Sequence, residues 1–449
     1  MNHTFLNYLR NSTFWALDAI KGGKIKTNLK DIEASLSLDS FESLKEKNHE
    51  TLSLLLDIAV NETEYYKHLI GSQTLNDFPV VNKNIIKESF DDILTKSSKN
   101  GKLHTISTSG STGIPFSIYQ NQSKKIRNTA DTIYFAKQAG FTIGDKLLYL
   151  RLWNKKLKKK RVPAFLQNIV QINIEDLENR KIEKLINDLQ KDKSPKGWLG
   201  YPSGLEKICD YLDSIDSKPI DCNVKSIIGM SEGLSYHVRS RMWYYFDAPM
   251  VSRYSNFENG ILAQQKTNSD YFAINWASYI IEILDFGSNK PVKNGKLGRI
   301  VVTDLFNRAV PMIRYDTGDV GAMEIVDDHP FPVLKTVEGR KSDILLSTHG
   351  TMISPFAFMG IIPKYPEAKQ IQFIQTDAST YTIKINIDVP FYQEQELVKS
   401  FKSHVGHDAE INIEYVSEIP LLNSKKRKIT RNLYTERNSS RPKEKIPHS

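Results

Sequence analysis

The chain has 449 residues, 40% of them apolar and 25% charged, with a formal net charge of +9. That length exceeds one ordinary core and predicts two or three domains of a globular protein. Its apolar runs stop short of the ~20 residues a bilayer span needs, and the only two cysteines, Cys209 and Cys222, build neither a disulfide framework nor a CxxC metal site.

The N-terminal stretch lacks a basic start followed by an apolar block, so no secretory signal is read there and a cytoplasmic location is expected. The charge excess is local. From Ser424 onward nine Lys or Arg face two Glu, which is +7 of the +9. A second basic run, KKLKKKR, occupies 155–161. Neither run is interleaved with aromatics, which argues against a nucleic-acid groove. A solvated loop and tail, or contact with a phosphorylated substrate, remain as readings.

In chain order, residues 1–100 read as mainly helical. SLKEKNHETLSLLLDIAVNETEYYKHLI spaces its apolar residues by three and four, as an amphipathic helix does. FPVVNKNIIKESFDDIL adds an Asn able to cap and a second helical stripe. LHTIS predicts a short strand that runs into the loop ISTSGSTGIP. SKKIRNTADTIYFAKQAGFT is helical again, with Gly140 as its C-cap. DKLLYLRLW, KGWLGY, VKSIIGM and PMVSRYS are strand-like runs separated by helical stretches such as PSGLEKICDYLDSI and YHVRSRMWYYF, which predicts an α/β sheet with substantial parallel pairing. From about 270 to 340 short strands and turns predict a β-rich part. After 340, strands AKQIQFIQTD, YTIKINIDV and AEINIEYV with the helix YQEQELVKSFKSHV make a smaller α/β unit. The fold class is therefore α/β: a large N-terminal domain over 1–340, with α/β sheets and a β-rich subdomain, then a small C-terminal α/β domain over 341–430. Residues 431–449 are expected to be a disordered basic tail.

The loop is the first candidate site. A strand, a loop rich in glycine and hydroxyls, then a helix is how backbone amides and a helix N-terminus are aimed at phosphate. Gly110 and Gly113 let phosphate oxygens approach the main chain, and Ser107, Thr108, Ser109, Ser111 and Thr112 add neutral donors. Neither GK[ST] at Walker spacing nor GxGxxG is present. Taken alone, the run also reads as an ordinary Ser/Gly-rich turn.

Four further stretches follow in fixed order. YSNFENG at 254–260 presents an aromatic and, four residues on, a carboxylate. IRYDTGDVG at 313–321 carries Asp319, EGRKSDILLSTHGTMISP at 338–355 carries Arg340, and LNSKKRKI at 422–429 carries lysines. Together these resemble the motif series of the adenylate-forming (acyl-adenylate) ligase superfamily. TSGSTGIP is similar to its [ST]SG[ST]TGxP phosphate loop, YSNFE stands where that family has YGxTE, RYDTGD matches its YRTGD-type motif and GRKSD looks like its GRxDD. FPVVNKNIIKESFDDIL, GYPSGLEKICDYL and MSEGLSYHVRSRM narrow the resemblance to phenylacetate–coenzyme A ligase-like proteins, in particular CapK-type members associated with capsular and other surface polysaccharide synthesis. The similarity spans roughly residues 75–430.

The resemblance implies an enzyme that joins a carboxylate to the α-phosphate of ATP with Mg²⁺, releases pyrophosphate and passes on the acyl group. By residue, it implies that the 107–113 loop cradles the β- and γ-phosphates. Tyr254 would stack on adenine with Ser255 and Asn256 beside it, and Glu258 would hold Mg²⁺. Asp319 would accept both ribose hydroxyls, and Arg340 would reach the ribose or phosphate as a mobile small domain closes. Lys425 or Lys426 would be the catalytic lysine. Glu232 is expected by the nucleotide or acyl pocket, with Tyr201, Pro202 and Ser203 in the same cavity and Phe257 narrowing its acyl part. Glu282 has a counterpart in the subfamily pattern but reads equally as an outward strand residue. His237 and His349 show neither mutual spacing nor acidic partners and are expected to be structural. This sequence departs from the family at Ser255 (Gly in the family), Phe257 (Thr), the hinge position Ser342 (Asp or Lys) and Ser424 (Gly). The expected acceptor is an amine or hydroxyl, such as one on a sugar nucleotide. The alternative acceptor is the thiol of coenzyme A. A second alternative is a non-catalytic nucleotide-binding relative, which the four departures favour.

Overall fold

The computed structural model describes residues 3–72, 74–99, 101–108, 116–153, 158–340, 343–353, 357–358, 361–365, 367–419 and 429–435. The chain forms two compact units, one made of residues 1–108, 116–317 and 321–337, the other carrying Gly318–Val320 and the chain from Glu338 onward.

The first unit begins with the helices the apolar spacing requires, α1 (His3–Ile20), α2 (Lys24–Leu36) and α3 (Phe41–Glu62). After strand β1 (Val81–Asn82), Asn82 starts helix α4 (Lys83–Glu88): its Oδ1 accepts from the Asn84 and Ile85 amides at 2.9 and 3.0 Å. A short helix α5 (Phe90–Ile93) follows. The next segment differs from expectation. β2 (His104–Thr108) is followed by a second strand, β3 (Phe116–Gln120), antiparallel to it. The 109–115 loop, which lies outside the described residues, therefore links two strands and not a strand and a helix. The reason is the alternation in FSIYQ, which buries Phe116, Ile118 and Gln120. Helix α6 (Gln122–Gln138) starts only after it and ends beside Gly140, whose φ of 91° suits glycine alone.

Five parallel strands come next: β4 (Lys146–Arg151), β5 (Ile169–Asn173), β6 (Lys196–Gly200), β7 (Val224–Met230) and β8 (Met250–Asn256), in the order β5-β4-β6-β7-β8. Helices α7 (Arg161–Leu166), α8 (Asn179–Lys191), α9 (Pro202–Ser214) and α10 (Tyr236–Phe246) connect them. On one face Leu148, Leu150, Trp198, Ile227 and Met250 pack against Ile182, Leu205, Ile208 and Met242. Alternation sends Tyr149, Val251 and Arg253 to the other face. A three-residue turn after β8 returns the chain as β9 (Gly260–Gln265), antiparallel to β8, since so short a link cannot make a parallel crossover. β10 (Phe272–Ile274), β11 (Tyr279–Leu284), β12 (Leu297–Asp304), β13 (Tyr315–Glu324) and β14 (Val333–Arg340) extend the same sheet in the order β11-β12-β13-β14-β10-β9-β8. The β-rich part thus continues the parallel sheet instead of standing beside it.

In the second unit, β15 (Leu345–Leu346) pairs with β16 (Met352–Ile353). A sheet in the order β19-β18-β17-β20 is built from β17 (Gln370–Gln375), β18 (Thr380–Asn386), β19 (Glu410–Tyr415) and β20 (Thr430–Asn432). Helix α11 (Glu394–Val405) buries Leu397, Phe401 and Val405 in this unit's core, with the Phe401 ring stacked on Phe373 at 4.8 Å. Three of the four strands and the helix match expectation. β20 is an addition, placing residues 430–432 in the sheet. No described helix is long and apolar enough to cross a membrane.

Candidate active site

In the first unit β4, β6, β7 and β8 end side by side, and the residues at or just past their carboxyl ends are Arg151, Tyr201, Glu232 and Phe257. In an open parallel sheet this is the edge where ligands bind. Ser231, with φ of 68°, turns the chain so that Glu232 Oε2 accepts from the Ser203 amide at 2.9 Å. Ser203 lies in the first turn of α9 behind Pro202, a position that favours a carboxylate. The structure therefore brings Glu232 and Ser203 together. Burial raises the Tyr201 hydroxyl, and Glu232 adds to the shift. One turn along α9, Glu206 is pushed up to about 7, first by burial and then by Asp210 and Glu232. Nothing in the sequence marks Glu206 except its i, i+4 spacing to Asp210, a like-charge pair.

Glu258 occupies the turn between β8 and β9. Its side chain is 6% exposed, and Oε1 accepts from the Tyr315 hydroxyl at 3.1 Å. The turn itself is held from behind. Gln120 Nε2 donates to Glu258 O at 2.9 Å and Tyr279 Oη to Asn259 O at 2.6 Å. Lys124 Nζ lies 3.0 Å from Tyr279 Oη and 2.7 Å from Asp304 Oδ2, with both charged side chains fully buried. Gly260 completes the turn at φ of 120°, and a Cβ there would meet Asn128 Oδ1 at 2.8 Å and Tyr279 Oη at 3.0 Å. A register shift in the β8–β9 ladder falls between Tyr254 and Ser255, a bulge of the kind that re-aims side chains. Tyr254 packs in the core with Leu262, Ile274 and Tyr279, and its hydroxyl bonds Thr317 Oγ1 at 3.4 Å. Asn256 Oδ1 accepts from the Asn259 amide at 2.8 Å, while Phe257 is exposed.

In the second unit Arg340 Nε pairs with Asp319 Oδ1 at 3.1 Å. Gly318 precedes Asp319 at φ of 76°, and a Cβ on it would stand 3.4 Å from Arg340 Nη1. Two motif residues that are 21 positions apart in sequence are thus adjacent.

Ser107 and Thr108 end β2, with Ser107 Oγ 2.8 Å from Ser117 Oγ. Ser109, Gly110, Ser111, Thr112, Gly113, Ser342, Lys425 and Lys426 lie outside the described residues. Glu282 is accounted for by packing: it takes both ends of the Arg314 guanidinium, at 2.9 and 3.1 Å, and so holds Arg314 at its φ of 49°. His237 departs from expectation. Packing of α9 on α10 brings it to Asp210 and Asp213, all three ligand atoms within 4.8 Å of one another. Asp213, however, already accepts from Tyr245 Oη at 2.5 Å and from Arg241. His349 is exposed on the turn between β15 and β16.

This architecture is found among known proteins. The structure of 2-hydroxyisobutyryl-CoA ligase in its postadenylation state with 2-HIB-AMP superposes with a TM-score of 0.68 at 15% identity, covering 88% of this chain and 90% of that one. ATP-bound MatB from Rhodopseudomonas palustris superposes at 0.54 and 14% identity, over 72% and 66%. The fold is that of the adenylate-forming ligases. Residues 345–432 match the CapK C-terminal domain family, and protein CapK of Staphylococcus aureus is 24% identical over 394 residues, 80% of this chain and 82% of that protein. The chain is thus similar to CapK over most of its length, and its C-terminal part matches the CapK C-terminal domain family.

Proposed function

We propose that the protein is an ATP- and Mg²⁺-dependent ligase that activates a carboxylic acid as its acyl-adenylate and transfers the acyl group to an amine or hydroxyl, in surface polysaccharide synthesis in the cytoplasm. The observation that carries the reading is Glu258, a buried carboxylate with one oxygen fixed by Tyr315 and its backbone clamped by Gln120 and Tyr279. One anchored carboxylate, completed by water and phosphate oxygens, is the usual protein share of a Mg²⁺ site. When bound, the ion neutralises charge on the phosphate oxygens.

In this reaction a carboxylate oxygen attacks the α-phosphorus, the bond to the β-phosphate oxygen breaks, and pyrophosphate leaves with its electron pair. The transition state gathers negative charge, so donors and counter-ions fixed in advance lower the barrier. Ser107, Thr108 and the rest of the 107–113 loop cradle the phosphates. Tyr254, Ser255 and Asn256 line the adenine side, Asp319 takes the ribose hydroxyls, and Lys425 or Lys426 meets the α-phosphate. Arg340, more than half exposed, leaves Asp319 at little expense to reach the nucleotide, since exposed ion pairs are worth about 0–1 kcal/mol.

Acid-dependent exchange of labelled pyrophosphate into ATP tests the adenylation step. Glu258→Gln is expected to lower it by about 10²–10³ while the protein stays folded, and an unchanged rate would remove Glu258 from the site. The likeness to CapK supports the sugar-linked acceptor. The second reading, transfer to coenzyme A, is favoured by the match to a CoA ligase over most of the chain. Thioester formation with coenzyme A decides for that reading, and amide or ester formation without thioester decides for the first.

A further inference from the structure

On the sheet face opposite α8–α10, β4 and β8 each bring a guanidinium toward Tyr149. Among the described residues Arg151, the last residue of β4, bonds neutral oxygens: Nε donates to Leu152 O and Nη1 to Tyr149 Oη, both at 3.3 Å, and the guanidinium also bonds the Tyr201 hydroxyl. Its Cζ stands 5.7, 5.4 and 5.9 Å from the ring centroids of Tyr149, Trp153 and Phe257. Arg253 on β8 is 7% exposed. Its Nε donates to Gln264 Oε1 at 2.8 Å, and its Nη2 has no partner among the described residues. Burial pulls Arg253 down to about 10, opposed only by the Tyr149 phenol.

A buried cation is costly unless an anion answers it. Elsewhere in this unit Lys124 has Asp304, Arg127 has Asp31 and Arg314 has Glu282, while the buried Lys196 spends its ammonium protons on three carbonyls, Asp192 O, Ser194 O and Cys222 O. Among the described residues neither Arg151 nor Arg253 has a carboxylate. The two lie at matching levels of the sheet, since the register carries Gly200 to Leu150 on one side and Met230 to Arg253 on the other. Both belong to the carboxyl edge, and Arg151 is the one within reach of solvent.

We propose that the acid this protein activates is a short dicarboxylate, whose second carboxylate is held by Arg151 while Trp153 and Phe257 flank its carbon skeleton. The proposal rests on the adenylation reading. Phe257 directly precedes Glu258, so its ring ties the seat to the reacting end of the acid, and its 5.9 Å separation from Arg151 limits the acid's length. A guanidinium fork matches a carboxylate with two parallel bonds. Arg253, behind Tyr149, adds positive potential without touching the acid.

The test compares succinate, glutarate, adipate and phthalate with butyrate, valerate, hexanoate and benzoate. Each acid is assayed in pyrophosphate–ATP exchange and, separately, by titration calorimetry without ATP. The wild type is expected to use at least one diacid with a KM ten-fold or more below that of the matched monoacid. Arg151→Gln is expected to raise that KM 10- to 100-fold, leave the KM for ATP unchanged and abolish the calorimetric signal, and Arg151→Lys to recover part of each. Circular dichroism and Tm establish that both variants fold, and Arg151→Lys serves alone if the Gln variant does not. Equal use of monoacids, or a diacid KM indifferent to Arg151, overturns the dicarboxylate and leaves adenylation standing. Absence of all exchange with Arg151-dependent diacid binding overturns adenylation and keeps the anion seat. Absence of both overturns the two together.

Discussion

Two clusters of buried charge in the first unit obey opposite rules. Lys124 is answered twice: Asp304 pairs with it, Tyr279 bonds it, and Asp304 Oδ1 in turn accepts from the Phe306 and Asn307 amides at 3.0 and 3.2 Å. Around Tyr149 two arginines meet, among the described residues, only neutral oxygens and aromatic rings. The first arrangement gives rigidity, and what it makes rigid is the turn that presents Glu258. The second forgoes stability, as binding sites do when their groups are placed for a ligand and not for the fold. In these two clusters pairing separates the groups that build the site from those left for what enters it.

The largest effect is expected from breaking the paired cluster. Lys124→Met leaves Asp304 buried and unanswered, at an expected loss of about 3–5 kcal/mol, read as a fall in the urea midpoint. Adding Asp304→Asn to the same variant keeps the acceptor for the Phe306 and Asn307 amides and removes the stranded charge, so the double variant is expected to be more stable than Lys124→Met. A double variant no more stable than the single one would mean that the pair does not act as a unit.

That cluster also marks where the sequence stops being readable. Strands such as LLYLR and SIIGM, the Asn82 cap and the Gly140 stop were legible because each signal lies within a few residues. The motif residues Glu258, Asp319 and Arg340 were legible as motifs for the same reason. The hairpin was not read, although Phe116, Ile118 and Gln120 alternate, because the phosphate-loop pattern predicted a helix after the loop. On α6, Lys124, Arg127 and Asp131 look like a solvated face, yet all three are buried. Their partners Tyr279 and Ser278 lie 147 to 155 residues away. Arg151, Arg253 and Glu206 were invisible for a deeper reason. What distinguishes them is that no described residue pairs an opposite charge with them, and that can be seen only once the chain is folded.

Glu206 lies between the two clusters in character: a carboxyl whose neighbours Asp210 and Glu232 are both acidic. Its folded value of about 7 lies above the usual carboxylate range, so the folded state holds this proton more tightly than the unfolded one. The stability it contributes is complete below about pH 4.5 and is lost as pH rises through 7. Glu206→Gln, which mimics the protonated form, is expected to match the wild type at pH 4. At pH 8 it should exceed it by up to about 3 kcal/mol, the shift converted at 1.36 kcal/mol per pKa unit. Urea melts at the two pH values measure this, and parallel pH dependence in variant and wild type would place Glu206 in an ordinary aqueous setting.

The smallest expected effect is the sharpest for the comparison. Arg253→Met keeps length and volume while removing a buried charge with no anion beside it among the described residues. The relief of desolvation favours the variant, and the loss of the bond to Gln264 Oε1 opposes it by about 1–3 kcal/mol. The two nearly cancel, so the variant is expected within about 1 kcal/mol of the wild type, against the several lost in Lys124→Met. A saturating diacid should then stabilise the wild type more than Arg253→Met, because the potential behind Tyr149 has gone. A loss as large as that of Lys124→Met would mean that Arg253 already has its anion in the ligand-free fold. Tyr149 would then mark a structural pair like that of Lys124, and the distinction between answered and unanswered charge would no longer locate the acid.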